Sequence, residues 1–299
     1  MSLLVVGSVA LDSVKTPAGE VTDALGGSAT YFSMAARLFS AVSVVGVVGQ
    51  DFPDEHIGLL KSHGIDVSGI QFAEGKTFRW AGAYDGDMSV AETLDTQLNV
   101  FADFDPQLSS EAKETEFLFL ANIHPSLQRR VLEQVTGAKL TFCDTMNLWI
   151  ETQLDEVKAL LEGVTGIILN DQEGRMLTGE ANLVRAGRTI IDMGPRLVVI
   201  KKGEHGALLI SEDDVIPLPA YPLSEVVDPT GAGDSFAGGL MGYLAESGEA
   251  SLDTLKAAVA HGIVTSSFCC EAFSLDRLKD VSRDDIDSRL RLFRDKLAF

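Results

Sequence analysis

Short apolar runs of strand length recur along the chain: Leu3–Val6, Val42–Val48, Phe117–Leu120, Leu140–Cys143, Gly166–Leu169 and Leu197–Ile200. They are nearly continuous in hydrophobic residues rather than alternating, which predicts strands buried on both faces. Longer amphipathic stretches separate most of them (Ala29–Phe39, Ser126–Val135, Leu154–Leu161, Leu183–Met193) and read as helices. Strand and helix in alternation predict a doubly wound α/β fold, a mostly parallel sheet with helices on both faces and ligands at the carboxyl ends of the strands. The chain reads as one such domain over residues 1–299.

Two stretches break this rhythm. Asp12–Leu25 carries a hairpin signal, and Ile70–Phe104 shows β-like pieces, Phe78–Tyr84 and Gln97–Phe101, around Asp85-Gly86-Asp87. Residues 12–25 and 70–104 therefore predict a small inserted β-sheet, placed to act as a lid. From Pro217 the order becomes a strand (Glu225–Val227), a glycine turn, then helices at Phe236–Ser247, Leu252–Phe273 and Arg283–Lys296.

The glycine turn carries the strongest chemistry. In Asp228-Pro229-Thr230-Gly231-Ala232-Gly233-Asp234-Ser235, two glycines open a helix made of small residues. The first N–H groups of a helix lack internal partners and sit at the positive end of its dipole, so bare backbone there can hold an anion. A carboxylate in an anion site has no use in mere phosphate binding. It has one in taking the proton from a hydroxyl that attacks phosphorus. Taken alone, the motif could equally be a tight turn with Asp234 as a cap.

Composition narrows the setting. Of 299 residues 45% are hydrophobic and 23% charged, as in ordinary globular enzymes. A net charge of −20 argues against nucleic acid as a partner. Cys143, Cys269 and Cys270 form no disulfide framework or metal spacing, and no run is long enough to cross a membrane. The N-terminus reads as a first strand rather than a leader, so a cytoplasmic location is expected.

Weaker signals accompany the turn. Gly26-Gly27-Ser28 opens the helix after the hairpin, and Asp12 follows the first strand, where a carboxylate can meet ligand hydroxyls. Asn170 ends a strand with Glu173 three residues on, suited to Mg2+ directly or through water, or simply to capping a helix. Lys201-Lys202-Gly203-Glu204-His205-Gly206 is a strand running into a glycine hairpin, where Lys202 and Gly203 could meet phosphates.

In this order the features resemble the PfkB (ribokinase-like) family of carbohydrate and nucleoside kinases over nearly the whole chain. Asp228–Asp234 is similar to that family's C-terminal signature, Gly26-Gly27 to its N-terminal glycine pair, and Asn170-x-x-Glu173 to its metal-phosphate motif. The resemblance implies an ATP- and Mg2+-dependent kinase acting on a hydroxyl of a sugar or nucleoside. It makes Asp234 the base, with the N–H groups of Gly231, Ala232 and Gly233 as the anion hole. Asn170 and Glu173 would position Mg2+; Lys202, Gly203 and Gly206 would lie beside ATP; Asp12, Gly26 and Gly27 would touch the acceptor. It also implies a lid that dimerises in relatives and leaves activation by a monovalent cation open, through carbonyls around Val226 and Phe273–Asp276.

The chain departs from that pattern in places. Tyr31 stands where sugar-kinase relatives often carry Asn against the acceptor, and His261 where Asn lies near adenine. Arg79 could meet an acidic substrate, while Trp80 either meets an aromatic one or packs the lid. Asp144 and Asn147 are expected on the ATP side. Two other classes stay open: a non-catalytic ligand-binding relative, and a nucleotide-linked oxidoreductase, against which stands the absence of G-x-G-x-x-G after the first strand.

Overall fold

The continuous apolar runs become strands because both of their faces are covered. The structure, a computed structural model, describes residues 2–86, 88 and 90–297; Asp87, read above as part of a turn, lies outside them. In chain order the strands are β1 (Leu3–Val6), β2 (Ala10–Thr16), β3 (Gly19–Gly26), β4 (Val42–Gly49), β5 (Asp66–Ala73), β6 (Arg79–Tyr84), β7 (Ala91–Gln97), β8 (Phe117–Leu120), β9 (Leu140–Cys143), β10 (Gly166–Asn170), β11 (Leu197–Lys201), β12 (Ala207–Ile210) and β13 (Val215–Leu218). The helices are α1 (Ser28–Ala36), α2 (Asp54–Ser62), α3 (Ser110–Lys113), α4 (Pro125–Gln134), α5 (Asn147–Thr152), α6 (Leu154–Leu161), α7 (Asp171–Thr178), α8 (Leu183–Ile191), α9 (Ala232–Ser247), α10 (Leu252–Cys269) and α11 (Arg283–Leu297).

Among the described residues the main sheet has the order β13-β12-β11-β10-β9-β8-β1-β4-β5. It is parallel from β11 to β5, with β12 and β13 antiparallel at one edge. Alternate residues of each central strand feed two cores. Leu3, Val5, Phe117, Phe119 and Val199 face the side of α1, α9 and α10. Leu4, Val6, Leu118, Leu120, Val198 and Ile200 face the side of α4, α6 and α8. This is the ribokinase-like doubly wound architecture.

A separate sheet of order β3-β2-β6-β7 stands beside the main one. It uses less of the chain than expected. Residues 70–73, the start of the second inserted stretch, belong to β5 at the edge of the main sheet, and Asn99–Asp103 is a 3-10 turn rather than a strand. Glu225–Val227, expected as a strand, is irregular chain: Val227 N–H donates to Cys270 O (2.9 Å) and Val227 O accepts from Thr16 Oγ1 (2.8 Å).

The small-residue helix α9 explains how the site is assembled. A Cβ on Gly238 would lie 2.3 Å from Phe32 O, and one on Gly242 would lie 2.9 Å from Ala36 O. The α1 and α9 backbones therefore touch, which only glycine permits at such range. Phe32 in turn stacks on Phe119 of β8, centroids 4.5 Å apart, fixing α1 to the sheet. The first turns of both helices consequently meet above the carboxyl ends of β1, β8, β9, β10 and β11.

Candidate active site

Two helix N-termini converge, and only one is left open. At α1, Gly27 N–H donates to Asp12 Oδ2 (3.3 Å), Ser28 N–H to Ser8 Oγ (3.0 Å) and Ala29 N–H to Ser8 O (3.0 Å). At α9 the N-cap Gly231 has φ 74° and no side chain caps the helix, so Asp234 is not a cap. Ala232 N–H donates to Pro229 O (3.1 Å), which removes it from the expected anion hole. The N–H groups of Gly231 and Gly233 have no acceptor among the described residues, while that of Asp234 faces its own carboxylate. Two free donors at the positive end of a 16-residue helix suit an anion.

The turn before α9 is held by Asp228. Its buried carboxylate accepts from Thr230 N–H (2.8 Å) and Ser274 N–H (3.4 Å). Thr230 Oγ1 donates to Tyr84 Oη of β6 (3.2 Å), tying the second sheet to this turn. With Val227 and Asp228 also turned toward Cys270 O, the two loops expected to offer carbonyls lie side by side.

Asp234 is half-buried, and loss of water pushes its carboxyl up to about 6 against the pull of the Lys201 ammonium and its own N–H. The same ammonium acts on Asp144 and Glu173. Burial drives Asp144 well above the usual carboxylate range, the charges of Asp234 and Glu173 adding to it. Glu173 is raised too, chiefly by burial. On the other side Asp12 is 6% exposed and pushed up to about 7 by burial, eased by Gly27 N–H and raised further by Asp234 and Asp228. Asp234, Asp144 and Glu173 thus gather around a single lysine, with Asp12 near Asp234 on its other side.

Lys201, last residue of β11, is the lysine the sequence reading missed. Strand alternation sends Lys201 and Lys202 to opposite sides. Lys202 instead closes the β11–β12 turn, its N–H donating to Gly206 O (2.7 Å), and none of the three carboxyls around Lys201 responds to it. Gly203 and Gly206 shape that turn at φ 52° and 84°, and a Cβ on Gly206 would collide with Leu218 O of β13.

Asn170 and Glu173 form a reciprocal capping box on α7. Glu173 Oε2 accepts from Asn170 N–H (2.7 Å), and Asn170 Oδ1 from Glu173 N–H (2.8 Å). One Glu173 oxygen remains for a ligand. Asp144 Oδ1, Thr145 Oγ1 and Asn147 Oδ1, beyond β9, are buried without partners among the described residues. Among those residues no three His, Cys, Asp or Glu side chains converge as a ready metal cage.

Three expected contacts are corrected. Tyr31 is 2% exposed with its ring packed beneath Gly231, so it fills space under the anion turn instead of facing the acceptor. His261 lies in the core, stacked on Tyr243 (4.0 Å between centroids) and edge-on to Phe39 (5.4 Å), so its ring is taken up by packing. Arg79 is bound to Asp51 (2.7 Å) and Asp23 (3.3 Å), a strut at the base of the second sheet. Gly26 and Gly27 are pressed against their neighbours: a Cβ on Gly26 would overlap Asp12 Oδ2, and one on Gly27 would lie 2.5 Å from Ser8 O.

An open helix N-terminus carrying a carboxylate, faced by an acidic cleft at the strand ends, defines a phosphotransferase site. The pattern of the pfkB family carbohydrate kinases matches residues 2–275, and the chain belongs to that family. The cytidine kinase of Thermococcus kodakarensis is 32% identical over 249 residues, covering 81% of this chain and 88% of that protein. Burkholderia thailandensis nucleoside kinase in complex with inosine superposes with a TM-score of 0.81 at 19% identity, over 97% of this chain and 98% of that one. A putative ribokinase II from E. coli in complex with ATP and Mg2+ gives a TM-score of 0.81 at 17% identity, over 97% and 99%. The chain is accordingly a kinase with an alcohol group as acceptor. No helix among the described residues is long and apolar enough to cross a membrane.

Proposed function

We propose that this kinase transfers the γ-phosphoryl group of ATP to a ribose hydroxyl of a nucleoside. The observation that carries the chemistry is Asp234 in the first turn of α9, beside two open amides and the Lys201 ammonium. Asp234 takes the proton of the attacking hydroxyl; the oxygen–phosphorus bond forms as the bond between the γ-phosphorus and its bridging oxygen breaks, releasing ADP. The amides of Gly231 and Gly233 hold the charge developing on the transferred group. Mg2+ would be held through the free oxygen of Glu173, with Asp144 across the cleft, and would neutralise charge on the phosphates. Three carboxyls around one lysine leave a site short of positive charge, which supports the need for that cation.

Asp12, beside Gly27, binds acceptor hydroxyls from the second sheet, and Thr145 and Asn147 supply polar atoms on the ATP side. Likeness to a cytidine kinase at 32% identity supports a nucleoside over a free sugar. The second sheet, joined to the catalytic turn through Tyr84 and Thr230, serves as the lid within a single domain. Its outer strand β7 is exposed, with Leu94 59% accessible, which supports pairing of two lids in a homodimer. Three unpaired cysteines suit the reducing cytoplasm.

The test is ATP turnover with Mg2+ over a matched panel of nucleosides and free sugars. Nucleosides should exceed every sugar in kcat/KM by about ten-fold or more. Preference for a sugar, or turnover of neither, overturns the reading.

A further inference from the structure

Residues on the lid's inner face point to how the planar part of a nucleoside is held. β2 and β6 run parallel with Asp12 in register with Trp80, and Val14 with Gly82. Neighbours in register share a face, so Trp80 and Gly82 lie on the side that carries Asp12 into the cleft. Two residues further along β6, Tyr84 meets Thr230 of the catalytic turn, which fixes that face as the inner one.

The indole is laid flat along this face. A Cβ on Gly82 would stand 2.2–3.0 Å from Trp80 ring carbons, so the ring occupies the space that the missing side chain leaves. Its Nε1 donates to Thr93 Oγ1 on β7 (3.3 Å), fixing the ring's rotation. Trp80 is nonetheless only half-buried. One ring face rests on the sheet and the other has no protein aromatic against it among the described residues. Packing the lid would not require so large a ring beside the acceptor carboxylate, nor a glycine beneath it.

We infer that Trp80 is the stacking plane for the acceptor's base, held flat by Gly82 and Thr93 while Asp12 binds the ribose. The inference rests on the nucleoside reading above. Base–aromatic stacking tolerates any base, because every base has a π-face. The device therefore selects nucleosides over free sugars without choosing strongly among bases.

Trp80 and Trp149 are the chain's two tryptophans. In a Trp149→Phe background, saturating nucleoside should quench Trp80 fluorescence, whereas ribose should not. Trp80→Ala should raise the nucleoside KM about ten-fold or more, leaving the KM for ATP and the melting temperature near wild type. Trp80→Phe should recover most of that loss. An active Trp80→Ala enzyme with an unchanged nucleoside KM, or absence of quenching, overturns the stacking role while the nucleoside kinase stands. A wild-type enzyme that phosphorylates only sugars removes both.

Discussion

Lys201 Nζ stands 2.7 Å from the point where a Cβ on Gly233 would lie. The glycine therefore serves the lysine as much as the phosphate: its bare Cα lets the ammonium come down onto the first turn of α9. Gly233→Ala meets only the tip of a flexible side chain, so the fold should absorb it, within about 1 kcal/mol by denaturant melting. The ammonium should be displaced, and turnover should fall about 10- to 100-fold. Full activity in that variant would show that Lys201 is not needed at this spot.

Asp234→Asn keeps size and hydrogen bonding but cannot take a proton. Its kcat should drop by at least ~100-fold with the melting temperature unchanged. Turnover close to wild type would remove Asp234 from the role of base.

A base must be ionised to act, so kcat/KM should rise with pH along a limb near 6, above the ordinary carboxylate range. Since Lys201 draws that value down, Lys201→Met should move the limb upward as well as slow turnover. The groups are coupled, so the limb belongs to the cluster rather than to one residue. A limb in the normal range in both proteins would contradict this.

Asp12 exchanges stability for function, with a definite sign. Its carboxyl rises from 3.8 to about 7 on folding, so the folded chain binds the proton more tightly. The resulting stabilisation is full below pH 3.8 and is lost as pH climbs through about 7. At pH 8 the wild type holds a buried charge that Asp12→Asn lacks. The variant should be more stable there, by on the order of a few kcal/mol, with the gap narrowing at pH 5. Melting curves at the two pH values check it; a gap that widens toward pH 5 reverses the argument.

Glu173 has two duties that substitution separates. Glu173→Gln can still accept from Asn170 N–H and should keep the α7 cap, so stability should hold. The Mg2+ concentration for half-maximal activity should rise about ten-fold or more. Glu173→Ala should add a loss of about 1 kcal/mol for the cap. Wild-type Mg2+ dependence in Glu173→Gln would leave the residue as a cap alone.

Gly231→Ala should be more damaging than Gly233→Ala. A Cβ there would lie 2.3 Å from the Tyr31 ring, in a backbone with φ 74°. Left-handed strain and overpacking together should cost at least about 2 kcal/mol, read as a lowered melting temperature. Tyr31→Phe, which removes a buried hydroxyl without a partner among the described residues, should be neutral or stabilising.

The hydrophobic pattern determined the doubly wound sheet, because strands buried on both faces must be apolar throughout; β1, β8 and β9 fall where the runs of Leu3, Phe117 and Leu140 begin. The open turn was legible from the glycine motif, since Gly231, Gly233 and Asp234 lie within one helical turn of local backbone. β5 escaped because an edge strand is covered on fewer sides, and Asp66–Ala73 alternates polar with apolar residues like any exposed segment. Which lysine enters the cleft was decided by the tertiary structure: adjacent residues of a strand point to opposite faces, and only the packed sheet shows which face holds the site. Ala232's loss to Pro229, His261's burial against Tyr243 and Tyr31's place beneath Gly231 were decided the same way. Each depends on where α1, α9 and α10 come to rest against one another, and spacing along the chain carries no record of that.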